Sequence, residues 1–508
     1  MAETFNLQLL LAVVVVIATF ILRPFFGANK VSHEPPSVPA TIPVPFIGHV
    51  IGLFWQRTAY YTNLSLKWNF PIFSISMFGG KVHVVSSGEL MHSLHKLPKS
   101  VSFWFMEAKF TTQLGGMSER SSASLTANLH PESRDSSLLI EGLKATQHAM
   151  SPQGGVEDMN RAAAKVTKER LDELLSKPES RRNVDLWAWV QHEITVVTTE
   201  SVYGPANPYR DEKVEVGFWN FADDTIMLLM TSVLPNIIAA KALAGRQTVV
   251  EAMDRYFAAG SYKDGSSLVN ARYSALKGHI DDEDLARFEC VNGIAILANT
   301  VPTAFWTIYH VFSDPIVLEE VRRQVTAITT SEMSLEGDVR TIDIRRLKEA
   351  PILFSTIQEA LRLRATGTGP RMVMEDISVG QEGYQLKKDS VVIIANKALH
   401  YDKAMWGETA DTYVADRFCG RTPAHAFRGF GGGINLCPGR GFAMVEVAAM
   451  VAMLTARFDM VPATSGGWCE PGQDMSNMSL QIAPPRKKVM VDLVRRSDLD
   501  DASWRFVV

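Results

Sequence analysis

With 508 residues, 51 basic against 55 acidic side chains and a formal charge of −4, the chain has no cationic excess with which to hold a nucleic acid. Its four cysteines (Cys290, Cys419, Cys437, Cys469) are scattered, which excludes a disulfide framework or a CxxC metal site and fits a reducing compartment. The length exceeds what one small core needs, yet no repeat, low-complexity run or Ser/Gly linker divides the body, so a single large domain is expected.

Residues 7–22 (LQLLLAVVVVIATFIL) are almost wholly apolar. A spanning helix needs about 17–25 residues, a length reached if Arg23 snorkels and Phe25 and Phe26 sit at the interface. Met1–Asn6 carry Glu3 and no basic residue, and no small-x-small cleavage site follows, so the segment reads as an anchor over 1–27 rather than a cleaved leader. Arg23 and Lys30 on its C-terminal side leave the bulk of the chain in the cytosol. Pro35, Pro36, Pro39, Pro43 and Pro45 then predict a stiff, extended hinge over 28–45, with the body occupying 46–508.

In the body, residues 72–87 (IFSISMFGGKVHVVSS) alternate around Gly79-Gly80 and predict a hairpin. Residues 103–137 have little periodicity and many Ser and Gly, the pattern of a loop. From about Leu138 to Met460 helical periodicity dominates, for example over 156–175 and 290–313, interrupted by a strand signal at 389–396 (DSVVIIAN). Turn clusters and a short apolar run at 488–494 close the chain. The fold class is therefore mainly α with minor β.

The most informative stretch is Phe430-Gly431-Gly432-Gly433-Ile434-Asn435-Leu436-Cys437-Pro438-Gly439-Arg440, followed by an apolar helix-forming run. One cysteine on a glycine-rich loop can fill one coordination position of a metal, and glycines let the backbone pass close to a flat partner. Main-chain N–H groups at the start of the following helix would stabilise a thiolate. The order Phe, two residues, Gly, three residues, Cys, one residue, Gly resembles the haem-binding loop of the cytochrome P-450 superfamily, and Phe430, Gly433, Cys437 and Gly439 fill its four defining positions. The resemblance implies the fold of that family behind an N-terminal membrane anchor, with heme b as cofactor and Cys437 as its proximal iron ligand. In such sites electron donation from sulfur favours O–O cleavage.

Companion motifs extend the resemblance. Glu359 and Arg362, three residues apart on a predicted helix, match the family's buried ion pair, and Arg417 in Ala415-Asp416-Arg417-Phe418 matches its third member. Arg371, in Gly369-Pro370-Arg371, matches an arginine that contacts a haem propionate, a planar cation suited to a carboxylate. Other propionate positions depart from the pattern. Asn435 stands where the family has Arg or His, and Leu143 and Gln147 stand where it has Trp and Arg. His148 and Lys144 lie close enough to substitute; His148 is the candidate contact, whereas Lys144 reads as a solvated helix residue.

The chemically decisive departure is Ala298-Asn299-Thr300-Val301-Pro302-Thr303. The family's acid and threonine, which help deliver protons to bound dioxygen, are replaced by Val301 and Pro302. Proline leaves the Ala298 carbonyl without its helical partner, so a local opening is expected, with Asn299 and Thr303 as candidate catalytic residues. This variant, followed by Phe305-Trp306, resembles the branch containing bile-acid hydroxylases and prostacyclin synthase, and Cys437-Pro438-Gly439-Arg440 recurs in its filamentous-fungal members.

The resemblance implies a single-pass protein of the endoplasmic reticulum membrane. It would be a monooxygenase of a lipophilic small molecule, in contact with membrane lipid and supplied with electrons by NADPH–cytochrome P-450 reductase. Its fungal character suggests secondary metabolism. Two alternatives stay open here: a reductase-independent isomerase or dehydratase of a hydroperoxide or endoperoxide, and a non-catalytic haem sensor.

Overall fold

The computed structural model describes residues 33–44, 47–77, 80–177, 181–230, 239–334, 337–420, 422, 426–496 and 503–507. The anchor read at 1–27 lies outside the described residues, as do 28–32 of the hinge.

The alternating segment forms β1 (Ile72–Met77) and β2 (Gly80–Val85), antiparallel with Ile72 opposite Val85. Three short strands complete a five-stranded sheet: β3 (Val101–Ser102), β4 (Arg371–Val373) and β5 (Val391–Ile394), in the order β1-β2-β5-β4-β3. The strand signal near 390 is thus β5, parallel to β2 and antiparallel to β4, with Val392 opposite Arg371. This pairing fixes the main chain of Arg371 inside a sheet instead of leaving it on a loop.

Residues 33–44, part of the stretch read as a stiff, extended hinge, pair with the sheet. Val38 N–H donates to the Ser74 carbonyl at 3.1 Å and Ser74 N–H to the Pro36 carbonyl at 2.8 Å, so the proline-rich segment lies along β1. His49 Nε2 contacts the Val38 carbonyl at 3.1 Å, and Val38 is buried among Tyr60, Tyr61 and Phe73. Proline stiffness suited the segment to edge pairing as well as to a linker.

Residues 103–137 are also corrected. Most of them form two helices, α1 (Phe103–Gly115) and α2 (Glu119–Thr126). The serines that weaken the periodicity act as caps: Ser102 Oγ accepts from Phe105 N–H at 3.1 Å, and Ser118 Oγ from Ser121 N–H at 3.2 Å. Gly116, at φ 63°, ends α1 in the left-handed conformation. The link 116–118 and the stretch after Thr126 are irregular.

The helical body includes α3 (Leu138–Ala149), α4 (Val156–Ser176), α5 (Leu186–Tyr203), α6 (Asp282–Leu297), α7 (Thr300–Ser313), α8 (Pro351–Leu363) and α9 (Arg440–Arg457). Helix α9 packs against α4, α7 and α8, and α7 also packs on α5. Phe305, Trp306, Val451, Leu454 and Phe458 are fully buried in the resulting core. Among the described residues, the run Asp282–Ser313 is long and apolar enough to cross a membrane. Its second half is instead packed inside this core, as buried α7 shows. The molecule is mainly helical with a minor sheet component.

Candidate active site

The Cys437 loop is closed by its own main chain. Cys437 N–H donates to the Phe430 carbonyl at 2.9 Å, and Leu436 N–H to that of Gly433 at 3.3 Å. Phe430 packs against the core and Phe427. Gly433 has φ 63°, and a Cβ there would lie 3.1 Å from the His95 ring, so both conformation and space require glycine. Gly439 differs: its φ is −79°, and a Cβ would meet only Met150 at 3.8 Å and Cys437 Sγ at 3.9 Å.

Gly439 is the residue before α9, so Sγ stands at a helix N-terminus. Burial pushes the Cys437 thiol up, while the N–H groups of Gly439 and Arg440 and the Arg440 charge pull it down. Without a metal, burial prevails. An iron cation would complete the stabilisation of the anion, so this donor set fits thiolate ligation.

Beneath the loop lies the ion-pair scaffold. Glu359 and Arg362 are fully buried and joined at 2.7 and 2.8 Å, and Arg417 Nε reaches Glu359 at 3.0 Å. Arg362 also donates to the carbonyls of His400, Ala410 and Thr412, at 2.6, 2.5 and 3.1 Å. Buried charge is tolerated because every arm of the guanidinium has an acceptor. His400 carries the network upward: its Nδ1 contacts the Arg362 carbonyl at 2.9 Å, and its Nε2 accepts the Arg428 N–H at 2.8 Å. A carbonyl facing one nitrogen and an N–H facing the other fix a neutral ring protonated on Nδ1. Burial and the neighbouring Arg362 push the His400 pKa down to about 3.

Arg371 is 4% exposed. Its Nη1 donates to the Gly369 carbonyl at 2.8 Å, and its guanidinium lies 5.9 Å from the Phe103 ring centroid. Burial and the nearby Arg428 charge push its pKa down to about 9. Among the described residues no carboxylate pairs with it. Two buried cations close enough to repel, without an acid among the described residues, fit an anionic group such as the carboxylates of haem.

The helix crossing the site is broken, as Pro302 implies: α6 ends at Leu297 and α7 begins at Thr300. Asn299 Oδ1 accepts the Gln481 N–H at 2.9 Å. That contact decides the amide orientation and turns Nδ2 away as a donor without an acceptor among the described residues. Thr303 Oγ1 donates to the Asn299 carbonyl at 2.6 Å, so its proton is committed and it can only accept further bonds. Gln481 in turn receives the N–H groups of Thr366 and Gly367, at 2.8 and 3.2 Å, on the loop leading to Arg371. Gln481 thus ties Asn299 to the loop that leads to Arg371.

His148 is not brought into this set. Its side chain is exposed near the end of α3, and no described hydrogen bond joins it to the Cys437 loop. Sequence reasoning missed Arg428 and His400, which no local spacing sets apart and which only their burial in the fold marks. It also missed Glu107, one turn beyond Phe103 on α1, whose carboxyl burial pushes up and which has no described partner.

A predominantly helical fold with a cysteine loop at a helix N-terminus, a buried Glu-Arg-Arg cluster beneath it and unpaired buried guanidiniums beside it defines a haem-thiolate protein. The comparisons agree. A cytochrome P-450 family model matches residues 246–489. The chain is 32% identical over 518 residues to the cytochrome P-450 monooxygenase nodJ of Hypoxylon pulicicidum, covering 98% of this chain and 97% of the relative. It is 28% identical over 223 residues to cholesterol 7-alpha-monooxygenase of Cricetulus griseus, covering 40% and 44%. It is also 30% identical over 159 residues to a bifunctional cytochrome P-450/NADPH–P-450 reductase of Gibberella moniliformis, covering 30% and 13%. The chain belongs to the cytochrome P-450 family, and is an oxygenase whose haem iron is held by a cysteine thiolate, that of Cys437.

Proposed function

We propose that the chain is a membrane-anchored monooxygenase that hydroxylates, or otherwise oxidises, a lipophilic small molecule in fungal secondary metabolism. It uses O2 and electrons from NADPH–cytochrome P-450 reductase. The observation that carries this reading is the fixed Asn299 amide, whose nitrogen has no acceptor among the described residues at the helix break. Reduction of dioxygen needs protons delivered at a defined place, whereas peroxide isomerisation needs none. The full-length likeness to a fungal monooxygenase supports the reaction class, and the fused reductase of the Gibberella relative supports the electron source. The apolar segment at 7–22 and its basic flank support a catalytic body on the cytosolic face of the endoplasmic reticulum membrane, where lipophilic substrates partition.

Bound haem, ligated by Cys437, supplies the activation of dioxygen, which thiolate donation favours. The chain's own residues do the rest. Arg371 holds a propionate by charge-assisted hydrogen bonds. Asn299 Nδ2 is the donor that would orient a water beside the bound cofactor, and Thr303 Oγ1 could accept a bond from that water. His148, exposed to solvent, has no role in this reading.

The exchange of the acid–threonine pair for Val301 and Pro302 favours a second reading, reductase-independent rearrangement of a peroxide. One experiment separates them. The gene is deleted in its host, the accumulating metabolite is identified by mass spectrometry, and it is supplied to membranes holding the enzyme, reductase, NADPH and isotopically labelled dioxygen. A product carrying one labelled oxygen, or lacking two hydrogens, made only with NADPH, supports the monooxygenase. A product isomeric with the substrate, made without NADPH, overturns it.

A further inference from the structure

We infer that Arg428 is the second cation holding the haem carboxylates, taking over the role that Asn435 cannot fill. Haem b carries two propionates, and Arg371 accounts for one.

Arg428 is fastened at both ends of its peptide: its N–H donates to His400 Nε2 at 2.8 Å, and its carbonyl accepts from Gly431 N–H at 3.1 Å. Its side chain lies along the cysteine loop, since a Cβ on Gly432 would stand only 2.1 Å from Nη1. Gly432 has φ 170°, extended backbone open to any residue, so glycine is kept there for the guanidinium's space. Arg428 is 7% exposed, its Nε is buried without a partner, and no carboxylate among the described residues pairs with it. Its charge acts on the Arg371 guanidinium, a like charge.

Burying two repelling guanidiniums without an acid is costly unless an anion arrives with the cofactor. Two cations against two carboxylates balance. At position 435, where the family has a cation, the Asn435 amide is neutral and its Oδ1 is buried without a partner. The cation has thus moved from inside the loop to its entrance, in the run Phe427-Arg428-Gly429-Phe430.

The test separates charge from packing by using haem and haem dimethyl ester, which lacks the propionate charges. Arg428→Met keeps the volume and removes the cation. The holoenzymes are mixed with excess apomyoglobin and cofactor loss is followed optically. Arg428→Met should lose haem about 10- to 100-fold faster than the parent, the range of a charge-assisted hydrogen bond. The diester should leave both proteins at the same rate. Adding Asn435→Arg to Arg428→Met should recover much of the haem retention. Equal acceleration for haem and diester would assign Arg428 to packing and overturn the inference, as would no acceleration. If Arg428→Met does not fold, Arg428→Lys supports the same comparison: its preference for haem over the diester must fall below that of the parent, and an unchanged preference overturns the inference.

Discussion

His400 accepts the main-chain N–H of Arg428 at 2.8 Å through Nε2 while its Nδ1 serves the carbonyl of Arg362 at 2.9 Å. One neutral imidazole therefore joins the buried ion-pair cluster to the entrance of the cysteine loop. A protonated ring would point an N–H at the Arg428 N–H, so the junction has a definite dependence on pH.

The folded pKa of His400 is depressed to about 3, below its ordinary 6.5. Between these values the unfolded chain binds the proton and the folded chain does not, so stability falls as pH falls through this window. The slope from this one group is about 1.4 kcal/mol per pH unit at most. Unfolding in denaturant between pH 7 and 4 should show a shallower pH dependence for His400→Gln than for the parent. Parallel curves would mean the ring is not held neutral.

Glu446 gives the opposite sign. Buried on α9, with Thr198 donating to Oε1 at 2.6 Å and Oε2 without a partner, its carboxyl is pushed up to about 8 from 4.5. Its stability contribution is complete below about pH 4.5 and is lost as pH rises towards 8. Glu446→Gln, neutral at every pH, should unfold at a higher temperature than the parent at pH 8 and at the same temperature near pH 4.5. A constant difference across that range would refute the shift.

Two glycines that the loop motif treats alike should behave differently. Gly433→Ala forces a left-handed φ of 63° on an alanine and a contact of 3.1 Å on His95. The conformational part alone costs about 1–2 kcal/mol. Gly439→Ala meets nothing nearer than 3.8 Å at φ −79°. Thermal unfolding should be lowered by about 1–2 °C or more in the first variant and hardly at all in the second.

Asn299→Asp keeps an oxygen to accept the Gln481 N–H and removes the amide donor. Product formation should fall by about 10²-fold or more while NADPH is still consumed, with unfolding nearly unchanged. Full coupling of NADPH to product in this variant would remove Asn299 from the proton path.

The motifs at 359–362, 371, 417 and 430–439 were legible in the sequence because each depends on local spacing. An i,i+3 pair shares a helix face, and a glycine-rich loop before an apolar run places a thiol at a helix start. The break at Pro302 was legible for the same reason, since a missing N–H is a property of the residue. Residues 103–137 were misread because capping serines and turn serines look the same until the helix they cap is seen. The pairing of the proline-rich segment 33–44 was not legible because it depends on a strand about 35 residues further on.

By itself, then, the sequence determined the helical class, the thiolate ligand and the exchange of the distal acid–threonine pair. Tertiary structure alone decided that His148 stays in solvent, that Asn299 turns its amide nitrogen away from Gln481, and that Arg428 and Arg371 are both buried without an acid among the described residues. Spacing can specify which neighbours a residue meets along the chain. Burial, amide orientation and the meeting of two like charges arise from segments distant in sequence, and only packing brings those together.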